Sequence, residues 1–122
     1  MPAERDPFFD FVEELFEPLG PVRIRRMFGG AGVFADDVMF ALIADEVVYL
    51  KADAALRTEL EAEGAEPFTY QRPSDGKTFD MGYLSLPTDA AEAPDEASMW
   101  ARKALDVALK ARAAKPKRKK KV

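Results

Sequence analysis

The sequence predicts one domain that combines helices with a β-sheet, in the order helix, strands, helix, hairpin, helix. Two observations predict this class. Apolar residues recur at helical spacing in three separate segments, and strand-like apolar runs bounded by turn residues lie between those segments. A chain of 122 residues with 48% hydrophobic composition also has enough apolar surface to bury one core.

The first two helices are predicted from their caps and their apolar spacing. The first begins at Pro7 after the N-cap residue Asp6 and ends at Pro18. The second begins after the cap Asp53 and ends at Gly64. In the first helix these apolar residues share one face: Phe8, Phe11, Val12, Leu15 and Phe16.

A longer third helix is predicted to begin at Pro94, where the acids Asp95 and Glu96 in the first turn complement the helix dipole. Its apolar stripe consists of Ala97, Trp100, Ala101, Ala104, Leu105, Ala108 and Leu109. Because Trp100 lies on the stripe that faces the sheet, we interpret it as a core residue, with ligand stacking as the alternative.

Six strand segments are predicted, at residues 22–28, 32–35, 38–43, 47–50, 67–70 and 78–84, and the last two form the hairpin. Segment 38–43 is apolar on both faces, which is typical of a central strand. We therefore expect this strand to be covered on both sides of the sheet.

Two acidic pairs, Asp36-Asp37 and Asp45-Glu46, separate the central strand segments. Aspartate is a favoured turn residue, so we interpret both pairs as turns. A site for a hard cation such as magnesium is the alternative, because paired carboxylates are suitable ligands for it.

The chain contains no histidine and no cysteine. It therefore lacks Ser-His-Asp and Cys-His catalytic groups, imidazole and thiolate metal ligands, and disulfides. We predict that the protein is not an enzyme and that it uses no metal and no cofactor. The first residues do not resemble a signal peptide, and the longest apolar run, residues 38–44, is too short to cross a bilayer. We expect a cytoplasmic protein without a membrane partner.

The net charge of −4 is unevenly distributed along the chain. Six of the 18 basic residues lie in the last eight positions: Lys115, Lys117, Arg118, Lys119, Lys120 and Lys121. The preceding residues carry 12 basic and 22 acidic side chains, which is a net charge of −10. We predict a folded domain over residues 1–113 and a disordered basic tail over residues 114–122, which is either a solvated end or a contact for nucleic acid.

Three glycines, Gly29, Gly30 and Gly32, interrupt the strand pattern. Glycines in this position indicate a bulge, a bend or positive φ angles, and the flanking Phe28 and Phe34 are predicted to fill the core. A nucleotide-binding cradle is disfavoured, because the segment leads into a strand rather than a helix and no Walker lysine is present.

Arg25 and Arg26 lie on alternating faces of the first predicted strand. At least one of them is therefore expected to approach the covered side of the sheet. Two interpretations stay open: an internal ion pair, or a surface that meets another macromolecule.

Three separated segments resemble the N-terminal domain of the TfoX/Sxy competence regulators: residues 25–34 (RRMFGGAGVF), residues 39–43 with 49–51, and residues 68–70 with 81–87. The resemblance covers residues 8–111, and its motif residues include Met27, Phe28, Gly29, Gly30, Gly32, Met81, Gly82, Tyr83 and Pro87. It implies a single α+β domain of the secretion-chaperone-like kind, with helices packed on a mixed or antiparallel sheet. Unlike the two-domain regulators, this chain is expected to consist of the first domain and a basic tail, without the C-terminal helical domain.

The resemblance also implies a bacterial cytoplasmic protein that regulates DNA-uptake competence, with the transcription machinery or a cyclic-AMP receptor protein-like regulator as its partner. We favour a non-enzymatic regulatory module that acts by protein contact through the sheet face or its edge, and a homodimer would also cover the sheet. The alternative is a weak, sequence-independent nucleic-acid binder that uses the basic tail, assisted by Arg25 and Arg26. A third hypothesis is an enzyme or a small-ligand binder whose pocket is lined by Tyr49, Lys51, Tyr70 and Tyr83. Aromatic residues at strand spacing are, however, more often core residues.

Overall fold

The computed structural model describes residues 6–27 and 29–114. Along this part of the chain a helix precedes four consecutive strands, a second helix precedes the last two strands, and a third helix follows them. Their bounds are α1 Pro7–Leu15, a 3-10 helix Glu17–Leu19, β1 Arg23–Met27, β2 Gly30–Ala35, β3 Val38–Ala44, β4 Val47–Lys51, α2 Ala54–Ala62, β5 Pro67–Gln71, β6 Thr78–Ser85, a 3-10 helix Thr88–Ala90 and α3 Pro94–Ala114.

The six strands form one antiparallel sheet in the order β1-β2-β3-β4-β6-β5, so β1 and β5 are its edges. The first four strands pair in sequence order. The chain then passes through α2 and returns as the β5–β6 hairpin, whose second strand pairs with β4. The predicted α+β class, with helices packed on the sheet, is confirmed, and the sheet is antiparallel rather than mixed.

The predicted helix caps are present. The Asp6 carboxylate accepts a hydrogen bond from the backbone N–H of Phe8 at 2.9 Å, and the Asp53 carboxylate accepts one from Leu56 at 2.9 Å. The first helix ends at Leu15, earlier than predicted, because Pro18 lacks the N–H that would continue the ladder and lies in the following 3-10 helix.

All three helices lie on the same face of the sheet. The Ser98 hydroxyl of α3 donates to the backbone carbonyl of Leu15 at 3.3 Å, and the Lys103 ammonium of α3 binds Glu59 of α2 at 2.8 Å. The largest fully buried side chains of the core between helices and sheet are Phe16, Phe40, Leu50, Leu60, Leu84, Val12 and Val33. Trp100 is partly buried against this core, in agreement with the core interpretation.

The central strand β3 is covered on one side only, and the prediction that it is covered on both sides is wrong for the described residues. A β-bulge is the reason for the unbroken apolar run. Val33 pairs with Ala41 and Phe34 pairs with Met39, so Phe40 is an extra residue in β3. Phe40 and Ala41 are both fully buried under the helices, whereas Met39 and Leu42 lie on the opposite face and are half-buried. We call this opposite side of the sheet the open face.

Phe34 lies on the open face and does not fill the core, which corrects the prediction made from the glycine segment. Its neighbour Val33 is fully buried, and alternation along β2 directs Phe34 to the other side. Phe28, the second predicted core aromatic residue, lies outside the described residues.

The two acidic pairs form the turns that were predicted for them. The first acidic pair connects Ala35 to Val38 and the second connects Ala44 to Val47, and in both cases the connected residues are partners in the antiparallel ladder. Asp36, Asp37, Asp45 and Glu46 have φ angles between 51° and 64°, as two-residue type I′ turns require. Residues 6–27 and 29–114 contain no group of three or more acidic side chains that could hold a metal ion.

Replacing Glu46 with glycine is expected to stabilise the protein, because glycine adopts positive φ without the steric penalty that a side chain pays. We expect a gain of about 0.5–1 kcal/mol in the free energy of unfolding, or about 2–4 °C in Tm. Thermal unfolding followed by circular dichroism measures it. Glu46→Ala is the control, since it removes the same carboxylate but keeps the backbone strain; an equal gain from alanine would assign the effect to charge repulsion with Asp45.

Candidate interaction groove

The open face of the sheet contains a concave cavity of about 710 Å³, which we call the groove. Most of its surface comes from large apolar and aromatic side chains. They are Met27, Met39, Leu42, Phe68, Tyr70, Met81 and Tyr83.

The sheet curls around the groove. Met27 belongs to the edge strand β1 and Tyr70 to the opposite edge strand β5, yet both line the same cavity. Five strand spacings in a flat sheet would separate these strands by about 24 Å. The concave curvature therefore brings the glycine segment and the β5–β6 hairpin to the same site.

The glycines of the first hairpin shape one wall of the groove, and their roles differ. Gly29 has a φ of +78°, as predicted, and occupies the turn between β1 and β2. Gly30 and Gly32 do not have positive φ angles, so of the predicted alternatives, positive φ or a bulge, the first does not apply to these two residues. A Cβ atom on Gly32 would lie 2.6 Å from Met39 Sδ and 3.0 Å from Met27 Cε, so the missing side chain lets the two methionines meet.

A bulge in β6 directs Met81 and Tyr83 toward the groove. Gly82 has a φ of +80°, and its N–H donates to the Asp80 carboxylate at 2.9 Å. The same carboxylate accepts a 2.7 Å hydrogen bond from the Arg57 guanidinium of α2. This contact lowers the pKa of Asp80 and raises the pKa of Arg57. Helix α2 thus holds the bulge from the covered side of the sheet.

Aromatic rings and one ammonium group lie on the open face at the β4–β6–β5 side of the groove. The Tyr49 and Phe68 rings have centroids 5.0 Å apart, and Lys51 Nζ lies 5.4 Å from the centroid of the Tyr83 ring. Burial raises the pKa of Tyr83, because desolvation disfavours the charged phenolate. The structure brings together the four residues of the small-ligand alternative on the open face. The interpretation of the three tyrosines as core residues is therefore wrong.

Arg25 and Arg26 lie on opposite faces of β1, as their alternation predicts. The Arg25 guanidinium is 6.0 Å from the centroid of Phe34 on the open face, and the Arg26 guanidinium is 4.9 Å from that of Phe9 in α1. Both side chains are exposed. Stacking on aromatic rings is therefore a contact that the two interpretations from sequence did not include.

The remaining predicted residues do not belong to the groove or cannot be placed. Pro87 is buried before the second 3-10 helix, away from the open face. Phe28 lies outside the described residues. The six basic residues of the predicted tail also lie outside them: Lys115, Lys117, Arg118, Lys119, Lys120 and Lys121.

Charge is segregated between the two sides of the sheet. Asp80 is the one acid in the six described strands, and its bond to Arg57 directs it to the helix side. The basic residues of these strands are Arg23, Arg25, Arg26 and Lys51. Among residues 6–27 and 29–114, Asp45 in the β3–β4 turn supplies the one carboxylate that lines the groove. The open face is therefore apolar and basic, on a body whose other acids lie in helices and connecting segments.

The sequence profile of the TfoX N-terminal domain family matches residues 14–108, which include every strand of the sheet and all of the groove. The chain belongs to this family. A 63-residue segment is also 36% identical to the DNA transformation protein TfoX1 of Aliivibrio fischeri (strain ATCC 700601 / ES114). That match covers 52% of this chain and 28% of the relative, so this TfoX N-terminal domain corresponds to a minor part of that protein.

The sequence predictions included one half of the groove and missed the other. Met27, the glycines and the 81–83 segment were singled out as motif residues. Met39, Leu42 and Phe68 fell within the segments that carry the family resemblance, but they were not named as site residues. One observation could have indicated an open face: the predicted strands have more apolar faces than the three predicted helices can cover. Across the described helices, none is both long and apolar enough to span a membrane.

Proposed function

We propose that this TfoX N-terminal domain is a non-enzymatic regulatory module that acts by protein contact in the transcriptional control of DNA-uptake competence. The groove is the observation that carries the proposal, because a large exposed apolar patch on a stable domain marks a binding surface. The name of the relative, a DNA transformation protein, supports the competence context. A cyclic-AMP receptor protein-like regulator is the first partner to test.

The chemistry of the groove supports a binding role over a catalytic one. Its ionisable lining residues are Asp45, Tyr70 and Tyr83. Burial raises the pKa of Tyr83, which moves its phenol further from the anionic form, and the Lys51 ammonium lies over its ring face. This arrangement does not supply the pair of a nucleophile and a base that covalent catalysis needs.

The proposal is tested by deleting the gene in its transformable host and complementing the deletion with the wild-type gene and with two variants. We expect deletion to lower the transformation frequency and competence-gene transcripts by roughly tenfold or more, and the wild-type gene to restore both. Met81→Glu, which places a charge in the groove, should fail to restore them.

Met99→Glu is the matched control. Met81 is 46% exposed in the groove and Met99 is 44% exposed on α3, so the two substitutions make the same chemical change on opposite sides of the domain. Met99→Glu should restore transformation. A deletion that leaves transformation and transcripts unchanged would refute the competence role, and equal rescue by both variants would refute a role for the groove.

A further inference from the structure

We infer that the groove binds an amphipathic α-helix of a partner protein whose apolar side is flanked by acidic residues. This inference rests on the proposed function, in which the open face is a protein-docking surface. The inference adds the conformation and the charge of the partner segment that docks there.

The form of the partner segment follows from the hydrogen bonding of the sheet. The strand N–H and C=O groups beneath the groove are already paired in the ladders between β1, β2, β3, β4 and β6. An extended segment lying across this face would bury its own backbone groups without partners, which is costly. A helix makes its backbone hydrogen bonds internally and presents only side chains to its surroundings. It is therefore the form that fits a sheet face.

The extent and the flexibility of the surface suit a helix better than a small ligand. The structure exposes six large apolar side chains among its described residues, and four of them lie on the open face: Val47, Tyr70, Phe79 and Met81. They extend the apolar surface beyond the cavity itself. Met27, Met39 and Met81 are unbranched and adapt their shape to an inserted side chain, as methionines do in peptide-binding grooves.

The charge of the partner follows from the residues beside the groove. Arg25 stacks on Phe34 and Lys51 stacks on Tyr83, and the described strands present no acid on this face. Carboxylates on the flanks of a docked helix would pair with these two cations. A second copy of the chain, packed face to face, would bring the same two cations against a face on which Asp45, in the β3–β4 turn, is the one carboxylate that lines the groove among the described residues.

The test uses the full chain and labelled 18-residue peptides in fluorescence anisotropy. The probe is an alanine-based helix with leucines at positions i, i+3, i+4 and i+7 of one face and glutamates beside them. One comparison peptide has lysine in place of every glutamate. Another has a central proline, which breaks the helix but preserves the composition.

We expect the glutamate peptide to bind with a micromolar Kd and both comparison peptides to bind roughly tenfold more weakly or not at all. Met81→Glu and Lys51→Glu should each weaken binding of the glutamate peptide roughly tenfold. The controls Met99→Glu and Lys110→Glu, on the exposed side of α3, should not change its Kd.

Three results would overturn the inference. The first is a failure of the peptide test. The glutamate peptide does not bind, or the lysine or proline peptide binds as tightly, or Met81→Glu leaves the Kd of the glutamate peptide unchanged. The second is a dimer in light scattering that Met81→Glu dissociates, because the occupant would then be a second copy. The third is labelled oligothymidine that binds more tightly than the peptide and is lost with Met81→Glu, because the groove would then be a nucleic-acid platform.

The same variants separate this inference from the proposed function. If Met81→Glu abolishes transformation but no peptide binds, the regulatory role holds and the acidic helix is refuted. If the peptide binds through the groove but gene deletion leaves transformation unchanged, the helix site holds and the competence role is refuted.

Discussion

Replacing Phe40 with alanine is expected to destabilise the protein by about 3–5 kcal/mol, as truncation of a large buried aromatic side chain does. Phe40 has no exposed surface, and its ring packs edge-on against Phe16 with a centroid distance of 5.7 Å. Truncation loses this apolar burial and leaves a cavity in the middle of the helix-covered core. Urea unfolding followed by circular dichroism measures the change in the free energy of unfolding.

Phe79→Ala is the matched control for this prediction. Phe79 lies on the open side, is 40% exposed and stacks beneath the Arg72 guanidinium at 4.9 Å. Its truncation should cost less than about 1 kcal/mol, because little burial is lost. Equal costs for the two substitutions would mean that the bulge in β3 does not place Phe40 in the core.

The local features of the fold could be predicted from the sequence, because short-range chemistry determines them. Asp6 and Asp53 cap their helices through side-chain oxygens a few residues away, and the acidic pairs adopt turns that need only their own φ angles. The bulge at Phe40 could not be predicted, since it depends on which residue of β2 each residue of β3 meets. Apolar periodicity carries no information about that partner.

The groove could be predicted only in part for a related reason. An apolar strand face looks the same in sequence whether a helix covers it or solvent does, so Met39 and Leu42 were indistinguishable from core residues. The face that the helices cover is set by tertiary packing. Arg25 and Arg26 show the same limit: alternation correctly placed them on opposite faces, but their aromatic partners come from other elements.

Replacing Gly30 with alanine is expected to destabilise the protein by about 2–3 kcal/mol, a cost that no loss of a side-chain contact explains. A Cβ atom at this position would overlap the backbone carbonyl oxygen of Ile43 in the neighbouring strand. Neither atom belongs to a flexible side chain, so relief requires β2 to move away from β3 at the end of their ladder. Urea unfolding measures the loss.

Gly32→Ala separates the stability of the sheet from the shape of the groove. The atoms that its Cβ would approach most closely are Met39 Sδ, Met27 Cε and the edge of the Phe34 ring, and the two methionine ends can turn aside at a cost below about 1 kcal/mol. The displaced methionines would then occupy the groove. We therefore expect Gly32→Ala to retain a nearly wild-type Tm but to weaken binding of the glutamate peptide, whereas Gly30→Ala lowers the Tm. A Gly30→Ala protein as stable as the wild type would mean that β2 and β3 are not held this closely together in solution, and that the groove wall they form is less rigid than the structure indicates.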